Sequence, residues 1–320
     1  DRCLSRGLGD VYKRQHPDGS PLVHSFSELV EACAELVERQ PNLQKAVVKL
    51  NEGFSGEGNA PLALDRLERS SGTALRNQLN ERLEQLAMPA AGWQELLVNQ
   101  GALVEAWLSG GDVLSSPSVQ GMIHPGGHVE VLSTHEQLLG GTSGQTYLGC
   151  QFPARSSYRR ELQRWGLAVG AELARLGALD HFSVDGLARR FGDTWDLQAI
   201  EVNLRKGGTT HPMQALRYLS NGHLCQDSGC FLSPTGSELH YKATDNLTDP
   251  RLRGLLPMDL IDLVAGAGLH YDALGESGSV FHLLGCLSEH GKLGMTCIGR
   301  SAEEAEQVYA RTKARLLGDH

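Results

Sequence analysis

Long apolar runs and dense clusters of basic residues are both missing from this sequence. No window approaches the roughly 18 to 20 consecutive apolar residues that a membrane-spanning helix needs, and the first residues lack the apolar core of a secretory signal. Lys and Arg number 29 against 38 Asp and Glu, which gives a net charge of -9. We therefore expect a cytoplasmic protein whose partners are small molecules, with no membrane and no nucleic acid among them.

Cysteine is scarce and scattered. Seven cysteines in 320 residues are an odd number, and a chain of this length does not need disulfides for stability, so reduced thiols are expected. Cys225 and Cys230, with His223 nearby, lack a second pair of ligands, which argues against a structural zinc. Cys150 has apolar neighbours and is interpreted as a buried, inert thiol rather than a nucleophile.

The composition that is present indicates a globular protein. Hydrophobic residues make up 40% of the chain and charged residues 21%, enough for one large or two medium domains. Residues 10–15 resemble a translated sequencing-library adapter, so residues 1–15 are interpreted as a non-native segment; the alternative is an ordinary disordered N-terminus.

Helical and strand patterns are mixed along the chain without regular alternation. Ser25 and Glu28 have the spacing of a capping box, which predicts a helix that ends near Pro41. Residues 45–50 are a β-branched run, and a loop rich in glycine follows. Further helices are predicted over 62–87 (with a break near 70–72), over 159–176 and from Ser301 to Gly318. Further strands are predicted at 129–132, 182–187, 197–204, 280–287 and 293–298.

One pair of these strands carries a candidate metal site. Asp185 lies in the strand 182–187, while Glu201 and Asn203 lie two apart in 197–204 and so on one face. The polar turn between the strands predicts an antiparallel hairpin, on which the three side chains could converge. Mg²⁺ prefers such hard oxygen ligands. The alternative is a solvated face of two acids and an amide.

Two cationic segments suggest phosphate binding. Arg205 continues the face of Glu201 and Asn203, and glycines and threonines follow it, where a phosphoryl group would develop charge. Lys49 ends the first strand and precedes the glycine-rich loop, whose backbone amides could approach an anion. This loop matches neither the P-loop nor the dinucleotide-binding pattern. The alternative is that the loop is only a turn.

Several segments together resemble the ATP-grasp peptide ligases related to the pheganomycin peptide ligase. The resemblance runs from about residue 25 to the C-terminus. Its last two segments, 281–285 and 291–294, contain glycines and lie near the end of the chain. The segments are 48–60, 116–120, 133–141, 201–212, 281–285 and 291–294.

The resemblance implies an α+β fold and an activity. Residues 16–250 are expected to form an ATP-grasp domain, two α+β subdomains clasping ATP, and residues 251–320 a small C-terminal α+β domain. The implied reaction joins a small-molecule or peptide carboxylate to an amine. In it, ATP and magnesium convert the carboxylate to an acyl phosphate, with no covalent enzyme intermediate, and the amine then displaces phosphate.

The resemblance also implies roles for individual residues. Lys49 would contact the ATP phosphates, and Arg205 would stabilise the transferred phosphoryl group. Glu105 would lie in the hinge segment that binds adenosine. The loop residues that would close over the phosphates are Glu52, Gly53, Ser55, Gly56, Gly58 and Asn59. The implied magnesium ligands are Asp185, Glu201 and Asn203. The residues implied to line the reaction centre, with open roles, are His135, Gln137 and the stretch 209–211 that includes His211.

Some expectations stay open at this level. For His135, a base and a structural hydrogen-bonding group are equally compatible with the sequence, whereas His282 lies in an apolar strand and is interpreted as a packed core residue. ATP-grasp enzymes usually carry a preceding domain with a further ATP-contacting lysine. Nothing before Ser25 supplies one, which leaves open whether the chain is active alone. A kinase and a non-catalytic nucleotide-binding domain are the alternative functions. The sequence specifies neither the substrates nor the oligomeric state.

Overall fold

The computed structural model describes residues 16–52, 58–68, 71–86, 92–140 and 146–318. The chain divides into two compact units, and we describe each by itself. The first unit comprises residues 1–114 and 186–203, and the second comprises residues 115–185 and 204–320. The interpretation of residues 1–15 as non-native lies outside the described residues. The predicted domain boundary at residue 250 stays a prediction.

Helices and strands are mixed throughout the first part of the chain. Among the described residues, three strands and three helices precede the first boundary between the units, which falls within a further short strand. The elements are α1 Phe26–Arg39, β1 Lys45–Leu50, β2 Asn59–Ala63, α2 Gly72–Glu84, α3 Trp93–Gln100, β3 Ala102–Ala106 and β4 Val113–Ser115.

The remainder of the chain contains longer strands. Short 3₁₀ turns lie at Pro250–Leu252 and Leu284–Cys286. The other elements are β5 Pro117–Ile123, β6 Val129–Gly140, β7 Thr146–Phe152, α4 Arg159–Arg175, β8 Asp180–Phe191, β9 Thr194–Asn203, α5 Thr210–Ser220, β10 His223–Leu224, β11 Phe231–Leu232, β12 Glu238–Thr248, α6 Pro257–Gly266, β13 Gly278–His282, α7 Leu287–His290, β14 Lys292–Gly299 and α8 Ala302–Leu317.

The first unit is built on a three-stranded antiparallel sheet in the order β2-β1-β3. Val48 in the central strand lies opposite Ala60 and Val104. These apolar side chains face a buried core to which α1 and α2 contribute residues such as Leu36 and Leu79. Since side chains alternate along a strand, Lys49 points to the other face of this sheet.

The predicted start of the first helix is confirmed in detail. The Oγ of Ser25 accepts a hydrogen bond from the backbone N–H of Glu28, and the Glu28 carboxylate accepts one from the N–H of Ser25. This reciprocal pair satisfies two amides that the first turn of a helix leaves free. The predicted strand at 45–50 and the helix over 159–176 are also confirmed.

The helix predicted to start at residue 62 is wrong at its beginning. Leu62 lies in strand β2 and pairs with Ala46 of β1, and the helix begins only after Ser71, whose Oγ accepts from the N–H of Ala74. Leu62 and Leu64 have the two-residue spacing of one strand face, although Leu64 and Leu67 also have helical spacing. Pairing of Leu62 with β1 decided in favour of the strand, and both leucines are buried.

The second unit contains a larger antiparallel sheet. Its strands run in the order β12-β7-β6-β5, followed by the first half of β8, and β14 and β13 extend it beyond β12. Helix α4 packs on β5 and β6, where a Cβ on Gly166 would lie 2.9 Å from Cγ2 of Val119. This glycine lets the helix approach the sheet closely. Helix α8 covers β14 and β12.

Strand β13 is shorter than predicted. The expected strand over 280–287 ends at His282, because Leu283 adopts a left-handed backbone with φ of 57° and a 3₁₀ turn and helix α7 follow. The predicted hairpin partner is confirmed as β14, and the last helix begins after Ser301 and ends at Gly318 as predicted. Within the described ranges, no helix combines the length and apolarity needed to cross a bilayer.

Candidate functional site

In the first unit, Lys49 and Glu105 form a buried ion pair. Nζ of Lys49 lies 2.5 Å from Oε2 of Glu105, and the two residues are 6% and 5% exposed. Lys49 lies on β1 and Glu105 on β3, with Val47 of β1 directly opposite Glu105, so both charged side chains share one face of the sheet. Each charge compensates the other where water is excluded.

This pairing gives Glu105 a contact that the sequence did not indicate. The resemblance implied that Glu105 binds adenosine, and the structure places its carboxylate on the ammonium of Lys49 instead of in an exposed hinge. In this structure the Glu105 carboxylate holds the Lys49 side chain in place. The adenosine role stays a prediction.

The glycine-rich loop after β1 is described only at its ends. Glu52 is exposed, and Asn59 pairs with Lys49 across the β1–β2 ladder. Gly58 adopts a left-handed backbone with φ of 81°, and its carbonyl accepts a hydrogen bond from the N–H of Leu50. These contacts close the loop at its base. Gly53, Ser55 and Gly56 lie outside the described residues.

Strand β9 carries two of the predicted metal ligands. Glu201 is half-buried and Asn203 is 8% exposed at the C-terminal end of the strand. Their two-residue spacing places both side chains on one face. The pairing of β9 with β8 confirms the predicted antiparallel hairpin.

In the second unit, Asp185 is held by two neutral donors. Its Oδ1 accepts from Oγ of Ser118 at 2.6 Å and from Nε2 of Gln137 at 2.9 Å. Gln120 in turn donates to Oγ of Ser118 at 3.3 Å. The hydrogen bonds from Ser118 and Gln137 fix the orientation of the Asp185 carboxylate, and both donors are uncharged.

Ser118 and Gln120 are functional candidates to which sequence reasoning assigned no role. They share one face of β5, and Ser118 lies opposite His135 of β6 and Asp185 of β8. The alternation of polar and apolar residues in 116–120 is the signal that could have identified them, because two-residue spacing predicts one polar face of a strand.

His135 is enclosed rather than exposed to a reaction centre. It is fully buried, its Nε2 lies 2.5 Å from the Tyr241 hydroxyl, and its ring lies against Phe152. Burial lowers the pKa of His135 to about 3, so the imidazole is neutral near pH 7. Of the two roles that the sequence left open, the structure favours the structural hydrogen bond over the base.

Stability at mildly acidic pH should depend on His135. The pKa of His135 is about 3 in the folded chain, below the ordinary value of 6.5. Between these two pH values the imidazole is therefore protonated in the unfolded chain and neutral in the folded chain. The full contribution of His135 is present above pH 6.5 and is lost as the pH falls towards 3. Between pH 7 and pH 5 we expect this residue to account for about 2 kcal/mol of lost unfolding free energy.

Urea unfolding of the wild type and of His135→Gln at the two pH values measures this difference. The glutamine cannot titrate, so the variant should lose less stability on acidification than the wild type does. His290→Gln is the matched control, because His290 is exposed on α7. Equal losses in the wild type and in His135→Gln would contradict the assignment.

The segment after β9 places cations and glycines beside helix α5. Arg205 and Lys206 are exposed, and the N–H of Gly207 donates to Oγ1 of Thr210, the first residue of α5. Gly208 lies against Tyr147, since a Cβ there would be 2.6 Å from the tyrosine ring. The segment is therefore seated on strand β7 at this point.

His211 contacts a residue that the sequence did not connect with the site. Its ring centroid is 5.7 Å from that of His282 on β13. His282 was expected to be a packed core residue, but the structure leaves it half-buried beside the first turn of α5. No spacing signal could have found this contact, because 71 positions of chain separate the two histidines.

Cys150 follows its prediction. It is fully buried on β7, and burial raises the pKa of its thiol to about 12. A thiol that stays protonated is a poor nucleophile.

Comparisons with known proteins agree with this architecture. The sequence model for the PGM1 C-terminal domain matches residues 259–312, and that for the IQCH-like ATP-grasp domain matches residues 78–226. An L-propargylglycine--L-glutamate ligase from Streptantibioticus cattleyicolor is 30% identical over 321 residues, which cover 99% of this chain and 62% of that protein. The chain thus spans about three fifths of the length of this curated relative.

Two solved structures illustrate the shared fold. The biotin carboxylase domain of the Hydrogenobacter thermophilus 2-oxoglutarate carboxylase, in complex with ADP and magnesium, superposes with a TM-score of 0.60 at 14% identity, covering 97% of this chain and 64% of that one. N5-carboxyaminoimidazole ribonucleotide synthetase from Thermus thermophilus gives a TM-score of 0.57 at 14% identity, with 100% and 71% covered. At these identities the likeness shows the fold alone.

Proposed function

Because this chain belongs to the ATP-grasp proteins, on the branch related to the pheganomycin-type peptide ligases, we propose that it joins a carboxylate to an amine at the expense of ATP. The proposed products are an amide, ADP and phosphate. The observation that carries the proposal is the Asp185 carboxylate, oriented by Ser118 and Gln137 on the polar face of the second unit's sheet. A fixed, charged oxygen ligand is what a nucleotide-bound cation requires.

The residues fit magnesium by their chemistry. Asp185, Glu201 and Asn203 offer hard oxygen atoms, and two carboxylates with one amide carbonyl match the small number of protein ligands that Mg²⁺ takes beside phosphates and water. The ion would neutralise charge on the nucleotide phosphates. That these three residues hold one ion together stays a prediction.

The cationic residues have separate tasks in the proposal. Lys49 would exchange its contact with Glu105 for the ATP phosphates, and Glu105 keeps the ammonium in place until then. Arg205, exposed at the end of β9, would stabilise the phosphoryl group during transfer to the carboxylate. Gln137 acts through Asp185 as a positioning residue.

The relative suggests the substrate class. The S. cattleyicolor protein is a ligase of L-propargylglycine and L-glutamate by its name, so we propose amino acids as both carboxylate and amine for this chain. We also propose a cytoplasmic location, where ATP is available.

Trapping with hydroxylamine tests the reaction class. The protein is incubated with ATP, Mg²⁺ and each of a panel of L-amino acids that includes L-propargylglycine and L-glutamate, with hydroxylamine to capture an acyl phosphate. We expect an amino-acid-dependent hydroxamate together with ADP, and a dipeptide when a second amino acid replaces hydroxylamine.

Product masses separate the ligase from the alternatives. A stable phosphoester formed with a hydroxyl compound would identify a kinase. ATP binding without ADP formation, with every amino acid of the panel, would identify a nucleotide-binding domain.

A further inference from the structure

We propose that the amine substrate is bound and deprotonated at a cluster formed by His282, His211, Asp245 and Tyr147. The inference rests on the proposed ligase function and assigns the second substrate to four residues, of which the family resemblance identified only His211, without a role. All four residues belong to the second unit, so the cluster is defined within one compact body.

The position of His282 is set by a glycine on the neighbouring strand. His282 of β13 lies opposite Gly294 of β14. A Cβ at Gly294 would lie 2.2 Å from Nε2 and 2.3 Å from Cδ2 of the histidine, so the imidazole lies directly over the glycine. Any side chain at this position would displace the ring.

His211 approaches the same ring from helix α5. The centroids of the two imidazoles are 5.7 Å apart with an interplanar angle of 37°. His211 is exposed and His282 is half-buried, so one ring of the pair meets solvent and the other lies deeper. The pair joins the small C-terminal strands to the segment that begins with Arg205.

Asp245 supplies the negative charge of the cluster. It lies on β12 where the register with β14 shifts between Thr244 and Leu247, and such a bulge redirects side chains out of the regular alternation. Its negative charge acts to raise the pKa of both His282 and Tyr147. Tyr147 in turn packs over Gly208, three residues before His211.

This arrangement matches an ammonium group. A carboxylate attracts the cation, and the face of a tyrosine ring adds a cation–π contact. The phosphate and carboxylate chemistry is served by the exposed cations Arg205 and Lys206, which would repel an ammonium. The unit thus offers separate surroundings for the two substrates' reacting groups.

His282 is suited to remove the proton. Burial, and secondarily the neighbouring His211, lowers its pKa, while Asp245 opposes that shift, so the ring is neutral near pH 7. Tyr147 stays protonated because burial raises its pKa, with Cys150 and Asp245 adding to the rise. A neutral imidazole can accept a proton from the ammonium, whereas the protonated phenol cannot.

Deprotonation of the amine precedes formation of the amide bond. The ammonium gives one proton to the imidazole of His282 and becomes an amine. Its nitrogen attacks the acyl phosphate carbon, the C–N bond forms and the C–O bond to phosphate breaks. The second proton of the reacting nitrogen leaves with phosphate as hydrogen phosphate, and His282 returns its proton to solvent.

Hydroxylamine separates this step from carboxylate activation, because it is already neutral at pH 7 and needs no base. In His282→Gln we expect the ratio of dipeptide to hydroxamate formed from the same amino acid to fall by about 10² to 10⁴, the usual contribution of a general base. The dipeptide rate of the variant should then rise about tenfold per pH unit as free amine accumulates, while that of the wild type rises less.

Two further variants test whether the position of the His282 ring controls the ratio of dipeptide to hydroxamate. Gly294→Ala keeps the imidazole but displaces it, and should lower the same ratio. His290→Gln, the same substitution on an exposed histidine of α7, should leave it unchanged. If the wild type forms neither hydroxamate nor dipeptide, the proposed function fails and this inference with it. If the wild type forms both and His282→Gln leaves their ratio unchanged, or lowers both products equally, only the inference fails.

Discussion

Lys49→Met should reduce the unfolding free energy by about 3–5 kcal/mol, because it leaves the Glu105 carboxylate buried without its partner. Both side chains are more than nine-tenths buried, so solvent cannot replace the lost ammonium. The loss should appear in urea unfolding followed by circular dichroism, as a lower midpoint with a similar slope.

The double variant Lys49→Met/Glu105→Leu separates charge from packing. An apolar pair of similar volume carries no desolvation cost, so the double variant should recover most of the stability lost in the single one. Arg175→Met is the control, since it breaks an ion pair with Glu172 on the exposed face of α4 and should change stability little. A urea midpoint for Lys49→Met equal to that for Arg175→Met would contradict the prediction, because it would show that the Glu105 carboxylate does not need the Lys49 ammonium for stability.

Asp185→Asn should lower the rate of ADP formation by about 10² to 10³ while the protein stays folded. The Oδ1 of an asparagine can still accept from Ser118 and Gln137, so the side chain keeps these two hydrogen bonds and loses its charge. Losing about 3–4 kcal/mol of electrostatic stabilisation corresponds to a rate change of this size.

The dependence on Mg²⁺ identifies the cause of this loss. If Asp185 is a magnesium ligand, the variant should need a higher Mg²⁺ concentration for half-maximal rate, and its urea midpoint should match that of the wild type. Asp193→Asn, in the exposed turn between β8 and β9, is the matched control. Wild-type turnover by Asp185→Asn at limiting Mg²⁺ would remove Asp185 from the metal site.

Lys49 illustrates which properties of a residue a local sequence pattern can predict. Lys49 was singled out because it ends a strand before a glycine-rich loop, and its strand is placed as expected. Its partner Glu105 is 56 residues away, and only pairing of β1 with β3 brings the two together. Local pattern indicates which residues are unusual, whereas strand order determines what they contact.

Local sequence patterns predicted helix ends correctly where a single short-range interaction sets the end. The capping box at Ser25 and the glycine stop at Gly318 were confirmed because they depend on neighbours within four residues. The failures at Leu62 and Leu283 have a common origin. In both segments apolar residues fit two secondary structures, and pairing with a distant strand or a left-handed backbone decided between them.

The α+β class, the ATP-grasp resemblance and the residue types available for chemistry can be predicted from the sequence alone, because they depend on composition, short motifs and two- or three-to-four-residue periods. Three contacts become visible only in the folded chain: Tyr241 and Phe152 enclose His135, Ser118 and Gln137 orient Asp185, and the ring of His282 lies beside that of His211. Those contacts join strands and helices far apart in the chain. Burial and hydrogen-bond partners, which set the protonation state of each group, exist only once those elements have packed.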